Sequence, residues 1–151
     1  MAGEAATVHA SAVLVGSHAA LIRGPPGAGK SSLALGLIAA AQSGRVAFAR
    51  LVADDRVALA ACHGRLLACP AAALAGLIEV RGLGVRRLDH EPIAVVGWVV
   101  DLGDPAAARL PEPGDREVTL AGITLPRLRI AAGTDPIPAV LTLCSAAGPE
   151  R

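Results

Sequence analysis

The sequence predicts an α/β fold that is rich in β-strand and contains two main helices. Residues 24–31 read GPPGAGKS, which fits the Walker A pattern G-x-x-x-x-G-K-[ST] without a substitution. Short apolar strand patterns recur along the chain, whereas only two segments carry a helical pattern. Because strands and helices do not alternate regularly, an ordinary doubly wound nucleotide-binding sheet is not predicted.

The first elements surround the glycine-rich loop. Residues 8–15 predict a strand, residues 16–18 a turn, and residues 19–22 a short apolar strand that leads into the loop. Apolar residues then recur at helical spacing, which predicts a helix over about residues 31–42 with Gly36 as a mild weakness. Ser43 and Gly44 are a plausible end for this helix.

The remaining elements are mostly strands. They are predicted over residues 50–53, 57–61, 65–68, 77–80, 93–102, 118–120 and 123–130. Residues 70–75 predict one helical turn or a loop, residues 86–92 a polar link, and residues 103–114 the most loop-like segment. Asp135 as N-cap, with Pro136 at the first helical position, predicts a last helix to about residue 147.

Composition and charge argue against several classes of protein. A chain of 151 residues predicts one domain over residues 1–151. A net charge of +1 and only two aromatic residues, Phe48 and Trp98, give no support for nucleic-acid binding. The longest uncharged stretch, residues 5–22, is broken in the middle, so no membrane span is expected. The three cysteines lack paired spacing, which favours reduced thiols in the cytosol.

The Walker A loop is the first candidate site. Backbone N–H groups of such a loop converge on phosphate oxygens, and the following helix N-terminus adds positive potential. Lys30 would reach the β- and γ-phosphates of a nucleoside triphosphate, and the Ser31 hydroxyl would hold Mg²⁺. The alternative, a chance match at a strand-to-helix turn, is disfavoured by the two correct flanks. The loop residues are Gly24, Pro25, Pro26, Gly27, Ala28, Gly29, Lys30 and Ser31.

Charged residues that follow strands supply further candidates. Asp54 and Asp55 end an apolar strand, and successive strand residues point to opposite faces. One carboxylate would therefore face Mg²⁺ or its waters and the other the acceptor, although two solvated turn aspartates are an equal alternative. Glu79 and Arg81 lie two apart on a predicted strand and so project to one face.

Four motifs in order resemble the catalytic domain of the HPr kinase/phosphorylase family, in its short proteobacterial form. These are His9-Ala10, the Walker A loop, residues 51–55 (LVADD) and residues 79–85 (EVRGLGV). The family has a His-Gly pair, a Walker A loop, an (I/V)-A-D-D segment and an E-(I/V)-R-G-L-G-(I/V) signature. The resemblance implies a P-loop fold of the phosphoenolpyruvate carboxykinase-like type.

The resemblance also implies roles for individual residues. Lys30 matches the phosphate-binding lysine, and Ser31 and Glu79 match the Mg²⁺-binding pair. Asp55 matches the aspartate that deprotonates the acceptor serine, with Asp54 as the second choice for that role. His9, which alone would be a partly exposed structural residue, matches an active-site histidine. Arg109, alone a surface charge, falls where the family has an active-site arginine, and residues 125–130 resemble a late segment linked to dephosphorylation.

The function that this resemblance implies is an ATP- and Mg²⁺-dependent kinase for a serine of HPr or of a paralogous phosphocarrier protein. It would regulate the phosphotransferase system from the cytoplasm, as a homo-oligomer, with reverse dephosphorylation as an option. No nucleic acid or membrane is expected as a partner. Two alternatives stay open, a P-loop kinase of a small molecule and a nucleotide-binding regulatory module without catalysis. Ala10 replaces the family's usual glycine, and the stretch after Val85 is shorter than in the long form.

Overall fold

A computed structural model of the chain describes residues 7–107 and 113–145. Within them, β-strands predominate and two α-helices follow glycine- or proline-containing turns. The strands are β1 (Thr7–Val8), β2 (Ser11–Val15), β3 (His18–Arg23), β4 (Ala49–Ala53), β5 (Val57–Cys62), β6 (Arg65–Pro70), β7 (Leu77–Val80), β8 (Gly84–Arg87), β9 (Ala94–Asp101), β10 (Glu117–Leu120) and β11 (Ile123–Arg129). The helices are α1 (Lys30–Gln42) and α2 (Ile137–Ser145), and short 3₁₀ turns span Ala72–Leu74 and Pro113–Arg116.

The strands form one large mixed sheet and one separate hairpin. The sheet runs in the order β1-β5-β6-β9-β3-β2-β4, with β11 joined to β9 and β10 joined to β11. β9 pairs in parallel with β3 and with β11, while the other named pairs are antiparallel. The carboxyl ends of β3, β9 and β11 therefore meet at one edge. The chain leaves β3 at this edge to form the Walker A loop.

Both faces of the central strands are buried, which explains why β3 and β9 are almost continuously apolar. One face packs against α1 and α2, and its apolar cluster includes Ile22, Leu33, Leu37, Trp98 and Val140. The opposite face carries a second cluster, whose described members include no helix residue; among them are Leu21, Val52, Val57, Leu66 and Val99. Burial of a leucine such as Leu37 stabilises the fold by about 1.5–3 kcal/mol, so the helix stripe anchors α1 on the sheet.

Gly36 allows a close contact between the two helices. A Cβ atom at this position would lie 2.6 Å from Cδ1 of Ile137, the first residue of α2. The predicted weakness in the middle of α1 is therefore also a notch into which the start of α2 packs.

Several observed elements begin or end one or two residues from the predicted bounds, and four differences matter more. The strand predicted over residues 8–15 is interrupted at His9 and Ala10, because β1 pairs with β5 whereas β2 pairs with β3 and β4. Part of the predicted polar link is strand β8, which pairs with β7. β7 ends at Val80, so the prediction that Glu79 and Arg81 share a strand was wrong. The last helix begins at Ile137, one residue later than predicted.

Some predictions concern chain ends and capping. The Asp135 carboxylate accepts the Ile137 N–H at 3.1 Å, which confirms its predicted capping role. The predicted end of α2 near residue 147 lies outside the described residues, as does Arg109. No helix within residues 7–107 and 113–145 has both the length and the apolar character needed to cross a bilayer.

Candidate active site

The Walker A loop connects β3 to the first turn of α1. Gly27 and Gly29 have φ angles of 82° and 99°, a left-handed conformation that glycine adopts without steric cost. Gly24 is required for a different reason, since a Cβ there would lie 2.9 Å from the carbonyl oxygen of Leu102. The Ala28 N–H donates to the carbonyl oxygen of Pro25 at 3.0 Å and closes a turn inside the loop. These constraints hold the backbone in a tight curve at the helix N-terminus.

Lys30 and Ser31 open α1 and lie at its positive end. The Lys30 Nζ donates to the carbonyl oxygens of Gly24 at 2.8 Å and Pro25 at 3.3 Å, so the ammonium lies over the loop. The Ser31 hydroxyl donates to both carboxylate oxygens of Asp54, at 2.8 and 2.9 Å. No acidic residue occupies the first turn of α1, which leaves the helix dipole available to an external anion.

Asp54 and Asp55 are adjacent in sequence but lie in different surroundings. Asp54 is only 5% exposed and, besides Ser31, accepts a hydrogen bond from the Ser11 hydroxyl at 2.6 Å and from the Glu79 N–H at 3.3 Å. Asp55 has a φ angle of 70°, so the chain turns sharply there and the Asp55 side chain is 71% exposed. The buried carboxylate faces Ser31, and the exposed one faces solvent.

One cavity of about 690 Å³ brings most of the predicted residues together. The Walker A loop forms one wall, and the ends of β4 and β7 form the other. The lining residues include Pro26, Gly27, Gly29, Lys30, Ser31, Asp54, Asp55, Glu79 and Arg81. His9 lies beside this cavity, with its Nδ1 3.9 Å from an Asp55 carboxylate oxygen.

The donor atoms of this cavity suit Mg²⁺ bound together with phosphate groups. Hydroxyl and carboxylate oxygens are the ligands that Mg²⁺ prefers, and in phosphate-transfer sites it takes only one or two carboxylates and completes its shell with phosphate oxygens and water. In the described part of the chain, no group of three or more His, Cys, Asp and Glu side chains could enclose a metal ion. Ser31, Asp54 and Glu79 therefore fit a Mg²⁺–triphosphate site rather than an all-protein metal cage.

A network of arginine–aspartate pairs lies at the same edge of the sheet, and sequence motifs did not reveal it. The Asp101 carboxylate accepts two hydrogen bonds from Arg23, at 2.8 and 2.9 Å, and one from Arg127 at 2.6 Å. Burial opposes ionisation of Asp101, but the two guanidinium groups outweigh it and hold the pKa of this carboxyl below its usual value. Because Arg23 immediately precedes Gly24, the network fixes the entry to the Walker A loop.

A second pair extends this network along β11. The Arg129 guanidinium donates to the Asp104 carboxylate at 2.6 Å and also pairs with Asp115. The hydrogen bond from Arg129, together with one from the Ala106 N–H, lowers the pKa of Asp104. The partners lie 14 to 78 residues apart in sequence, so no local pattern could have identified them. The only sequence signal was the pair of arginines at alternate positions near the end of β11.

A strand-rich mixed sheet, with a Walker A loop at the start of α1 and two carboxylates opposite it, defines a β-rich α/β domain of the Walker A class. The family model for the HPr Serine kinase C-terminal domain matches residues 2–90, more than half of the chain. The chain therefore belongs to the HPr serine kinase C-terminal domain family, as the order of its motifs predicted.

Individual relatives agree with this assignment. The chain is 32% identical over 145 residues to the HPr kinase/phosphorylase of Streptococcus thermophilus. It is 31% identical over 144 residues to the HPr kinase/phosphorylase of Streptococcus equi subsp. zooepidemicus. Each alignment covers 87% of this chain and 44% of the relative, so the chain spans less than half the length of these curated proteins.

A solved structure shares the fold. The HPr(Ser) kinase/phosphatase from Coxiella burnetii superimposes with a TM-score of 0.75 at 24% sequence identity. The match covers 93% of this chain and 88% of the Coxiella chain. The similarity confirms the predicted strand-rich α/β architecture.

Proposed function

We propose that this chain is an ATP- and Mg²⁺-dependent protein-serine kinase domain whose acceptor is a serine of HPr or a paralogous phosphocarrier protein. Family membership supports the reaction class. The observation that carries the proposal is that the two aspartates at the cavity differ in burial. Asp54 is buried against Ser31, whereas Asp55 is exposed opposite the Walker A loop. A phosphoryl-transfer site needs both a metal-supporting group and an accessible base. We assign the fold to the phosphoenolpyruvate carboxykinase-like type of P-loop domain.

In the proposed mechanism the Walker A loop binds the triphosphate. Backbone N–H groups between Gly24 and Ser31 and the N-terminus of α1 bind phosphate oxygens, and Lys30 neutralises negative charge on the γ-phosphate. The Ser31 hydroxyl, supported by Asp54, and the exposed Glu79 carboxylate would hold Mg²⁺. When bound, Mg²⁺ would supply positive charge that stabilises the negative charge developing on the phosphate groups during transfer.

Asp55 acts as the general base in this proposal. Its exposed carboxylate removes the hydroxyl proton of the acceptor serine while the serine oxygen attacks the γ-phosphorus and the bond to the ADP oxygen breaks. In the reverse direction the protonated Asp55 returns its proton to the leaving serine oxygen. The Nδ1 atom of His9, 3.9 Å from this carboxylate, is close enough to orient it through one water molecule.

The wider roles follow from this assignment. Transfer to HPr would place the domain in the cytoplasm and make it a regulator of the phosphotransferase system. Reverse dephosphorylation and assembly into a homo-oligomer are part of the proposal. Arg109 remains a predicted active-site residue outside the described part of the chain.

Transfer of labelled γ-phosphate from ATP to purified HPr tests the proposal. We expect label on one HPr serine, with Mg²⁺ required. Asp55→Asn should lower the transfer rate by about 10²–10⁴-fold, and Lys30→Ala should abolish transfer while the fold is retained. Asp89→Asn changes an exposed aspartate outside the cavity and should transfer phosphate like the parent chain.

The outcomes separate the proposal from its alternatives. Full transfer by the Asp55→Asn or Lys30→Ala variant would contradict the mechanism. Label on a metabolite without any HPr dependence would favour a small-molecule kinase. Tight nucleotide binding without any transfer would favour a regulatory module.

A further inference from the structure

Ser11 is a buried polar residue that no motif singles out. It lies in β2 between Ala10 and Ala12, and all three residues have 0% exposure. Its hydroxyl donates to the Asp54 carboxylate at 2.6 Å, across 43 residues of sequence. Val13, the next residue on the same face of β2, is apolar and buried in the cluster that packs against α1 and α2. A serine is therefore a polar exception on this face, and its hydrogen bond to Asp54 accounts for it.

Asp54 is stabilised by neutral donors that come from three different elements. Ser11 on β2 and Ser31 on α1 share one carboxylate oxygen, and Ser31 and the Glu79 N–H on β7 share the other. Among the described residues, Asp54 forms no ion pair. The bond from Ser11 has the short length typical of hydrogen bonds to a charged acceptor. It is the only one of the three that comes from a residue away from the loop and the family signature.

The geometry fixes the direction of the Ser31 proton. A hydroxyl has one proton and two lone pairs, and the Ser31 proton is directed at Asp54. The lone pairs of Ser31 are then free to bind a cation on the side of the cavity that Ser31 lines. This arrangement requires that the Asp54 carboxylate does not rotate about its side-chain axis, and the hydrogen bond from Ser11 to one of its oxygens opposes that rotation.

We propose that Ser11 is a positioning residue that holds the Asp54 carboxylate so that the Ser31 oxygen is presented to a divalent cation. This inference rests on the proposed metal–nucleotide site but not on the identity of the acceptor. Ser11 touches neither the nucleotide nor the acceptor in this proposal, and it acts through Asp54 and Ser31.

Binding of ATP with Mn²⁺ and without metal tests the proposal by a route that needs no transfer reaction. Electron paramagnetic resonance of free Mn²⁺ reports metal binding, and calorimetry reports ATP binding in excess chelator. We expect Ser11→Ala to weaken Mn²⁺–ATP binding by about tenfold, as for other residues that support a metal ligand, and to change metal-free ATP binding less than twofold. Ser17→Ala, in the exposed turn before β3, is the matched control and should match the parent chain.

Conservative variants and kinetics distinguish positioning from a structural role. Ser11→Thr keeps the hydroxyl and should restore Mn²⁺ binding, whereas Ser11→Cys, a weak donor, should lie between serine and alanine. In the transfer assay, the Mg²⁺ concentration for half-maximal rate should rise about tenfold for Ser11→Ala, with kcat at saturating Mg²⁺ changed less.

Several results would overturn the inference. Equal weakening of metal-free and metal-bound ATP by Ser11→Ala would show a structural role only, and unchanged Mn²⁺ binding would remove the role altogether. A parent chain that binds ATP no better with metal would also overturn it. If the parent chain binds Mn²⁺–ATP but transfers nothing to HPr, the proposed acceptor fails while the role of Ser11 stands.

Discussion

Replacement of Asp101 by asparagine should destabilise the fold at neutral pH, because this carboxylate is the acceptor shared by Arg23 and Arg127. Its side chain is 11% exposed, and the two guanidinium groups are 29% and 21% exposed. An asparagine keeps one acceptor oxygen but points its amide N–H₂ at a guanidinium donor. Removing one partner of a buried pair costs 3–5 kcal/mol, and partial exposure of the arginines reduces this to about 2–3 kcal/mol.

The pH dependence of this loss has a definite direction. The pKa of Asp101 is lowered in the folded state, whereas an unfolded aspartate has a pKa of about 3.9. The stabilisation is therefore complete above the unfolded value and is lost as the pH falls through the folded value. Asp104 contributes to the stability of the folded state with the same pH dependence, because its pKa is also lowered. The parent chain should lose stability below about pH 4, and Asp101→Asn should lose less over the same range.

Urea unfolding at pH 7, 5 and 3 measures this effect, with Asp89→Asn as the matched control. The gap in free energy of unfolding between the parent chain and Asp101→Asn should be equal at pH 7 and 5 and smaller at pH 3. A gap that stays constant to pH 3, or no gap at pH 7, would refute the reasoning. The control should follow the parent chain at every pH.

Three further predictions concern the loop and the thiols. Gly24→Ala should lower stability by about 1–3 kcal/mol because the added Cβ would lie 2.9 Å from a backbone carbonyl oxygen; thermal unfolding measures this, and Gly114→Ala, with nothing within 4 Å, should have little effect. Lys30 is the only lysine of the chain, so an amine-reactive reagent should modify one side chain, and Mg²⁺–ATP should slow that reaction in a mass-spectrometric time course; an unchanged rate at saturating nucleotide would argue against binding at the loop. Burial raises the pKa of Cys144 to about 12, so exposed Cys62 should react first with a thiol reagent at pH 8, and equal rates in the folded protein would contradict the burial.

Much of the local structure could be predicted from the sequence, because short-range patterns decide it. The Walker A loop requires glycine at particular backbone angles, so its sequence pattern alone locates the strand before it and the helix after it. Strand β7 was predicted from a short segment between two turn signals, and the structure has the strand at the predicted residues. Asp135 caps α2 through an N–H only two residues away, which is also a local feature.

The features that could not be predicted from the sequence depend on contacts between distant segments. Ser11 reaches Asp54 across 43 residues and Arg23 reaches Asp101 across 78, so neither pair leaves a spacing pattern. The strand predicted over residues 8–15 is divided because its first part pairs with β5, whereas its second part pairs with β3 and β4. Strand alternation already predicted that Asp54 and Asp55 face different surroundings, but only the structure shows which carboxylate is buried and which is exposed.

The notch at Gly36 has a practical consequence for anyone who shortens this chain. The family model matches residues 2–90, and a minimal fragment would naturally be cut near that boundary. Such a fragment would lack Ile137, whose side chain packs against Gly36 in the middle of α1, the helix that begins with Lys30 and Ser31. It would also lack β9, the strand that pairs with β3, β6 and β11, and the apolar faces left uncovered would promote aggregation. Fragment boundaries for expression or crystallisation should therefore lie beyond Ser145, even when only the nucleotide loop is of interest.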